Sequence, residues 1–317
     1  MLSKVAGRLG ILVLSLGVAS VLIFWVTQAL PGDVARVLLG DGASEASLAA
    51  KRAQLGTDRS LVVQYLEWTQ GMLLGDFGRS WTSGQPVSRL MAPRLEVTGW
   101  LVSLGLGLAI TLAVPLGAVA AVKRRQWQGF ATSAWAQLGM AIPAFWAGIV
   151  LVLIFAVILR WLPANGYSSP SQGWSAWAAH LVLPVLALGV VQAAVLVRYV
   201  RSAFLEVIGE DYFRTARSIG WTQWRALGRH GLRNAAVTLV TVIGLQLSAT
   251  LVGAIVIERV FVLPGLGSLL LDAVNAYDLV VVRGVVMLLV LVALVINAVV
   301  DISYVMLDPR LHRERAQ

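Results

Sequence analysis

The chain contains no cysteine, which excludes disulfide bonds, thiolate metal sites and a cysteine nucleophile. Its three histidines, His180, His230 and His312, are scattered and form no zinc motif. Charge is scarce too: Asp, Glu, Lys and Arg make up 13% of 317 residues, about half the share of an ordinary soluble domain. The period-two alternation of a porin-type barrel is missing. So is a Gly-x-x-x-x-Gly-Lys-Ser/Thr phosphate loop, so the chain is not read as a nucleotide-hydrolysing enzyme.

What is present is apolar. Hydrophobic residues make up 58% of the chain and the mean hydropathy is +0.79, more than a soluble fold of this length can bury. Four charge-free runs, Leu9–Gly32, Val97–Val122, Gln126–Leu159 and Asn234–Ile257, are each long enough to cross a bilayer as a helix. Two shorter runs, Leu181–Val197 and Gly284–Val300, bring the predicted spans to six. The expected fold is all-α and polytopic, because backbone in lipid must satisfy its own hydrogen bonds. The first run is too long for a signal peptide, and Pro31-Gly32-Asp33 does not resemble a cleavage site, so it reads as a retained helix.

The formal net charge of +9 reports topology rather than a nucleic-acid partner. Lys4 and Arg8 flank the first run, Lys123, Arg124 and Arg125 follow the second, and seven arginines lie between Arg198 and Arg233. These are alternate connections, which places them and both termini in the cytoplasm. The layout is then residues 1–32 as N-terminus and first span, 33–96 as an extracytoplasmic helical segment, 97–306 as a core of five spans, and 307–317 as a cytoplasmic tail. Within 33–96, Ala46–Leu55 and Leu61–Leu74 read as short helices; Leu61, Tyr65, Trp68 and Met72 share one face of the second. The segment reads as a small helical cap. Trp161, Trp174 and Trp177 predict an interfacial loop over 160–179, re-entrant or surface-hugging, rather than a seventh span.

Pro115, Pro143 and Pro184 lie in or near the second, third and fourth runs, where each is able to kink its helix. Gly244 and Gly253 in the fifth permit close approach to another helix, within this chain or in a partner. Gln192, Gln246, Ser248, Thr250 and Asn297 are the polar residues deepest in the runs, as candidate path-lining groups or as ties between helices. No interior row of carboxylates or histidines accompanies them, which argues against an ion-coupled carrier.

The basic segment Asp211–Asn234 interrupts this pattern. Asp211–Ile219 predicts a short helix stopped by Gly220, with Tyr212, Ala216 and Ile219 on an apolar face and Arg214 and Arg217 on other sides. His230 has no neighbouring nucleophile or metal set, so a structural hydrogen bond is its expected use.

Tyr212, Arg214-Thr215-Ala216, Gly220, His230, Leu232, Arg233 and Asn234 match a recurring inner-loop pattern. With them the chain resembles an inner-membrane permease subunit of the bacterial dipeptide, oligopeptide and nickel class of ABC importers, the first of the two paired permeases. Leu30-Pro31-Gly32-Asp33, Leu74-Gly75-Asp76-Phe77-Gly78-Arg79-Ser80, Val260–Gly267 with Asp278, and Leu307-Asp308-Pro309-Arg310 extend the likeness over nearly the whole length. It departs after Asp278, where relatives commonly carry a proline and this chain has Leu279–Val282, Arg283 and Gly284.

The resemblance implies a subunit without chemistry or a cofactor of its own, in the bacterial inner membrane. It implies a homologous second permease, two cytoplasmic ATPases that hold ATP and Mg, and an extracytoplasmic solute-binding protein. Tyr212, Arg214, Thr215, Ala216, Gly220, His230, Arg233 and Asn234 become the loop that couples to the ATPases. Short peptides are the expected cargo, ahead of nickel chelates, glutathione and oligosaccharides.

Overall fold

The computed structural model describes residues 2–29, 33–40 and 42–307, and gives backbone alone for 2–6, 230, 233–234, 236–238 and 301–307. The helices are α1 (Leu2–Gln28), α2 (Val34–Leu39), α3 (Glu45–Leu55), α4 (Leu61–Leu73), α5 (Val87–Val122), α6 (Trp127–Ala141), α7 (Ala144–Leu151), α8 (Trp174–Gly209), α9 (Asp211–Ser218), α10 (Gln223–Ala226), α11 (Leu232–Val260), α12 (Leu266–Asn275) and α13 (Leu279–Leu307). A π-helical stretch, Val152–Ile158, continues α7, and another, Leu227–Gly231, joins α10 to α11. No strand is present among the described residues. The motif residues Leu30-Pro31-Gly32 and the tail from Asp308, with His312, lie outside the described residues.

Five helices are long and apolar enough to cross a membrane, and six crossings result if one bent pair counts as a single span. That pair is the predicted third span: its arms, Trp127–Ala141 and Ala144–Ile158, meet at 98°. The cause is local. Ile142 takes an extended conformation ahead of Pro143, the conformation that proline favours in the residue before it, and Pro143 then opens α7 as its N-cap. Pro184, by contrast, sits inside a continuous α8. The two short runs were underestimates: Leu181–Val197 lies within Trp174–Gly209, and Gly284–Val300 within Leu279–Leu307. Arg198 and Arg283 ended the charge-free runs without ending the helices. The tryptophans Trp174 and Trp177, expected in a loop, open α8 instead, and α5 begins at Val87, inside the segment read as extracytoplasmic.

Contacts divide the chain into two compact units, Met1–Thr98 with Pro264–Val295, and Gly99–Leu263 with Ile296–Gln317. In the second, α8 is the hub. Small residues let neighbouring helices approach it: a Cβ on Gly139 of α6 would lie 2.6 Å from Ala194 Cβ, and one on Gly117 of α5 would lie 2.5 Å from Val200. Gly189 meets α5 backbone to backbone, with the Gly105 carbonyl 2.9 Å from the position of a Cβ. Gly253 faces Leu188, and Gly244 faces Val300, so both glycines of the fifth span serve packing inside this chain.

The first unit is tied by buried polar groups. The Asp278 carboxylate, 2% exposed, accepts from Ser80 Oγ (2.6 Å), Thr82 Oγ1 (2.9 Å) and Thr82 N–H (3.2 Å). It also starts α13, since its carbonyl accepts from Val282 N–H at 3.0 Å. Arg283, also buried, donates from Nε to Thr27 Oγ1 and from Nη2 to Gln28 Oε1, each at 2.7 Å, and covers the Phe24 ring at 4.5 Å. Arg283 is thus a guanidinium clamp between α1 and α13.

Asp33 caps α2 through Ala35 N–H (3.0 Å) and accepts from Arg52 Nε of α3 at 3.0 Å. The Arg52 hydrogen bond holds the Asp33 carboxyl below its ordinary value of 3.8. A depressed carboxyl binds its proton later in the folded than in the unfolded state. Its stabilisation is thus complete above the unfolded value and is lost as pH falls through the folded one. A nitroxide at Ala49 on α3 is expected to stay immobile on titration from about pH 6 and to loosen only below about pH 4. Asp33→Asn removes the ion pair, so its α3 is expected to be looser from the outset, without that acid transition.

Candidate functional site

The loop after α8 builds the site. Glu210 leaves the helical conformation, and α9 starts afresh with Asp211 in its first turn and Arg217 in its last, both complementing the helix dipole. Gly220 then takes φ +93°. Its N–H bonds the Arg217 carbonyl at 3.1 Å and Trp221 N–H bonds the Ala216 carbonyl at 3.2 Å, which closes the helix as a Schellman cap, as the sequence predicts for a glycine stop.

The face of α9 differs from expectation. Phe213 and Ala216 are the buried pair, packed in one cluster with Phe204 and Val207 of α8, Ala118 and Ala121 of α5, and Ala226 and Leu227. Tyr212 and Ile219 are exposed, Ile219 at 70%. Two apolar stripes compete on a helix this short, and Phe213 takes the core because, unlike Tyr212, it carries no hydroxyl that needs a hydrogen-bond partner when buried. Arg214 and Thr215 also lie on exposed positions. The Arg214–Asp211 ion pair, 3.4 Å apart and solvent-exposed, contributes little.

Beyond Gly220, the Trp221 ring lies under Arg225 at 4.8 Å and Arg229 at 5.9 Å, while Arg217 Nη1 donates to the Trp221 carbonyl at 2.5 Å. These contacts hold the basic turn against α9. Thr222 caps α10 through Arg225 N–H. His230 lies in the π-helical stretch and Arg233 and Asn234 in the first turn of α11; their side chains lie outside the described ones. Phe213 and Trp221 were missed as mounting residues. The available signal was the i,i+3 spacing of Phe213 and Ala216.

The polar residues of the spans are placed as follows. Gln192 of α8 and Gln246 of α11 hydrogen-bond each other, amide N–H to carbonyl oxygen, both buried. Thr250 is fully buried and donates to the Gln246 carbonyl of its own helix at 2.6 Å. Ser248 Oγ is buried without a partner among the described residues, and Asn297 is half-buried in α13. Among the described residues no group of three or more His, Asp or Glu gathers as a metal site.

Known proteins share this organisation. Residues 113–313 match the binding-protein-dependent transport system inner membrane component, and residues 1–101 match the N-terminal component of the same systems. A protein of Brucella suis biovar 1 named as a peptide transport system permease is 40% identical over 295 residues, 93% of this chain and 94% of the relative. The glutathione transport system permease protein GsiC of Salmonella typhimurium is 40% identical over 309 residues, 98% of each chain. Among solved structures, the MetNI methionine ABC transporter in its inward-facing conformations matches with a TM-score of 0.58 at 20% identity, over 69% of this chain and 96% of that one, which shows a common fold. With its spans, its inner loop and its relatives in agreement, the chain belongs to the binding-protein-dependent transport system inner membrane components, as a permease subunit of an ABC importer.

Proposed function

We propose that this subunit forms half of a translocation path for short peptides and takes its energy through α9 from cytoplasmic ATPases. A homologous second permease completes the path, two ABC ATPases bind ATP with Mg, and an extracytoplasmic solute-binding protein delivers the cargo. The relatives named for peptide and glutathione transport support this cargo class, since glutathione is itself a tripeptide. Both termini face the cytoplasm. The clusters Lys123–Arg125 and Arg198–Arg233 lie on one side of the membrane when the bent pair and α8 each cross once, and that side is the positive one.

The mounting of α9 carries the coupling role. Phe213 and Ala216 fix it to the ends of α5 and α8, while Tyr212, Arg214, Thr215 and Ile219 face outward. Pressure on the outer face is then transmitted to α5 and α8 as a rigid displacement. Gly220 fixes where the helix stops, and His230, Arg233 and Asn234 connect the loop to α11.

Two substitutions separate docking from mounting. Ile219→Asp places a charge at the exposed contact. Loss of a central contact costs ~2 kcal/mol or more at a docking surface, about thirtyfold in affinity, with subunit stability changed by less than ~0.5 kcal/mol. Phe213→Ala instead lowers stability by ~3–5 kcal/mol. The readouts are substrate-stimulated ATP hydrolysis and tripeptide uptake by the assembled transporter in proteoliposomes. Unchanged stimulation and uptake with Ile219→Asp would show that α9 is not the coupling element. Mass spectrometry of ligand carried by the co-purified binding protein tests the cargo independently.

A further inference from the structure

The helix α4 is apolar on two sides. Tyr65, Trp68 and Met72 lie half-buried on one, as predicted, while Leu61, predicted with them, is exposed. The Tyr65 ring meets Phe24 of α1 edge-on at 5.4 Å, Trp68 lies 6.1 Å from the same ring, and the hydroxyls of Tyr65 and Ser20 are 2.9 Å apart. The second side carries Val62, Leu66 and Leu73, exposed at 67%, 59% and 84%. At 100° per residue these three fall within about 40° of one another and about 100° from the Tyr65–Met72 side. Glu67, Gln64 and Gln70 share the remaining arc with Val63, exposed at 41%, with Glu67 paired to Arg59 at 2.5 Å and Gln64 donating to the Arg59 carbonyl at 2.8 Å.

The level of α4 follows from its contacts. The span of α1 runs Gly7–Gln28, about 33 Å of helix at 1.5 Å per residue and about the full hydrocarbon thickness. Phe24 and Ser20 lie about 6 Å and about 12 Å inside its Gln28 end. A helix whose aromatic side packs there lies below the membrane surface, whichever way α1 is oriented. On α1, Leu22, Trp25 and Val26 are exposed on the side turned away from Ser20 and Phe24.

We infer that α4 is an interfacial helix embedded in the leaflet on its side of the membrane, with Val62, Leu66 and Leu73 against acyl chains and Glu67 and Gln70 at the headgroups. Three arcs facing protein, lipid and water are what a helix lying in the plane of the interface requires. The segment read as a small helical cap thereby has one helix within the membrane. The inference rests on α1 crossing the bilayer and is independent of the coupling role of α9.

The absence of cysteine makes the test direct. Single substitutions Val62→Cys, Leu66→Cys, Leu73→Cys, Glu67→Cys and Gln70→Cys are labelled with a nitroxide in the full chain, reconstituted in phosphatidylethanolamine–phosphatidylglycerol vesicles, alone and in the assembled transporter. Collision with molecular oxygen, which partitions into acyl chains, is compared with collision with a water-soluble nickel chelate. The expected result is an oxygen-to-nickel ratio several-fold higher at 62, 66 and 73 than at 67 and 70 in both preparations. Equal nickel access at all five positions would make α4 a water-exposed cap. Exclusion of both reagents from 62, 66 and 73 in the assembly would mean a protein partner covers the face. Either result overturns the inference.

Discussion

Asp278→Ala is expected to lower the thermal unfolding midpoint of the purified subunit by about 10 °C, at ~2–4 °C per kcal/mol. Three donors converge on Oδ2 of this carboxylate, two from side chains and one from backbone, at 2.6–3.2 Å. Removing the acceptor leaves Ser80 and Thr82 donors without it, in a site where Ser80 is 4% exposed. Each buried donor left unsatisfied costs ~1–3 kcal/mol, so a total of ~3–5 kcal/mol is expected. The damage is also local. Ser80 N–H bonds the Gln85 carbonyl and Gly84 N–H bonds the Ser80 carbonyl, so amide exchange is expected to quicken over 80–84 before it does elsewhere. Asp278→Asn keeps one acceptor oxygen and is expected to recover part of the loss. Equal midpoints for Ala and wild type would show that the carboxylate does not anchor this turn.

Gly189→Val is the second large effect. A Cβ there already lies 2.8 Å from Leu108 Cδ2 and 2.9 Å from the Gly105 carbonyl oxygen. The first neighbour has room to turn; the second is backbone and does not. Ordinary over-packing costs ~1–3 kcal/mol, and a clash with helix backbone lies at or beyond the upper end. Little folded subunit is expected to survive detergent extraction. Gly107→Val supplies the control on α5, since nothing lies within 4 Å of its Cβ position; it is expected to change stability by less than ~0.5 kcal/mol. Similar yields of the two variants, judged by size-exclusion chromatography, would mean that α5 and α8 do not pack as described.

Most of the helices were legible in the sequence because a crossing helix needs a long apolar run, and composition records that need directly. Their ends were less so. Arg198 and Arg283 lie inside α8 and α13, and charge alone does not reveal that Arg283 is buried against Phe24, Thr27 and Gln28. Pro143 marked a kink, but neither its size nor the exit of Ile142 from helix was visible. In the candidate site, Gly220 announced the helix end through its freedom at positive φ. The buried face did not announce itself, because Tyr212–Ala216–Ile219 and Phe213–Ala216 are both valid helical stripes. Only packing against α8 and the turn after Gly220 decides between them. Ser80 and Asp278 were each part of a recognised motif, yet their contact joins residues 198 positions apart, which no local pattern encodes.

The break at Ile142 and Pro143 bears on how this subunit is made. Each arm, Trp127–Ala141 and Ala144–Ile158, is about 22 Å long, short of the ~30 Å hydrocarbon core, so only the two together reach across it. Both arms pack on α8, which leaves the ribosome after them. Residues 127–158 therefore lack that packing partner when they are synthesised. Their packing is completed only once α8 arrives to receive them.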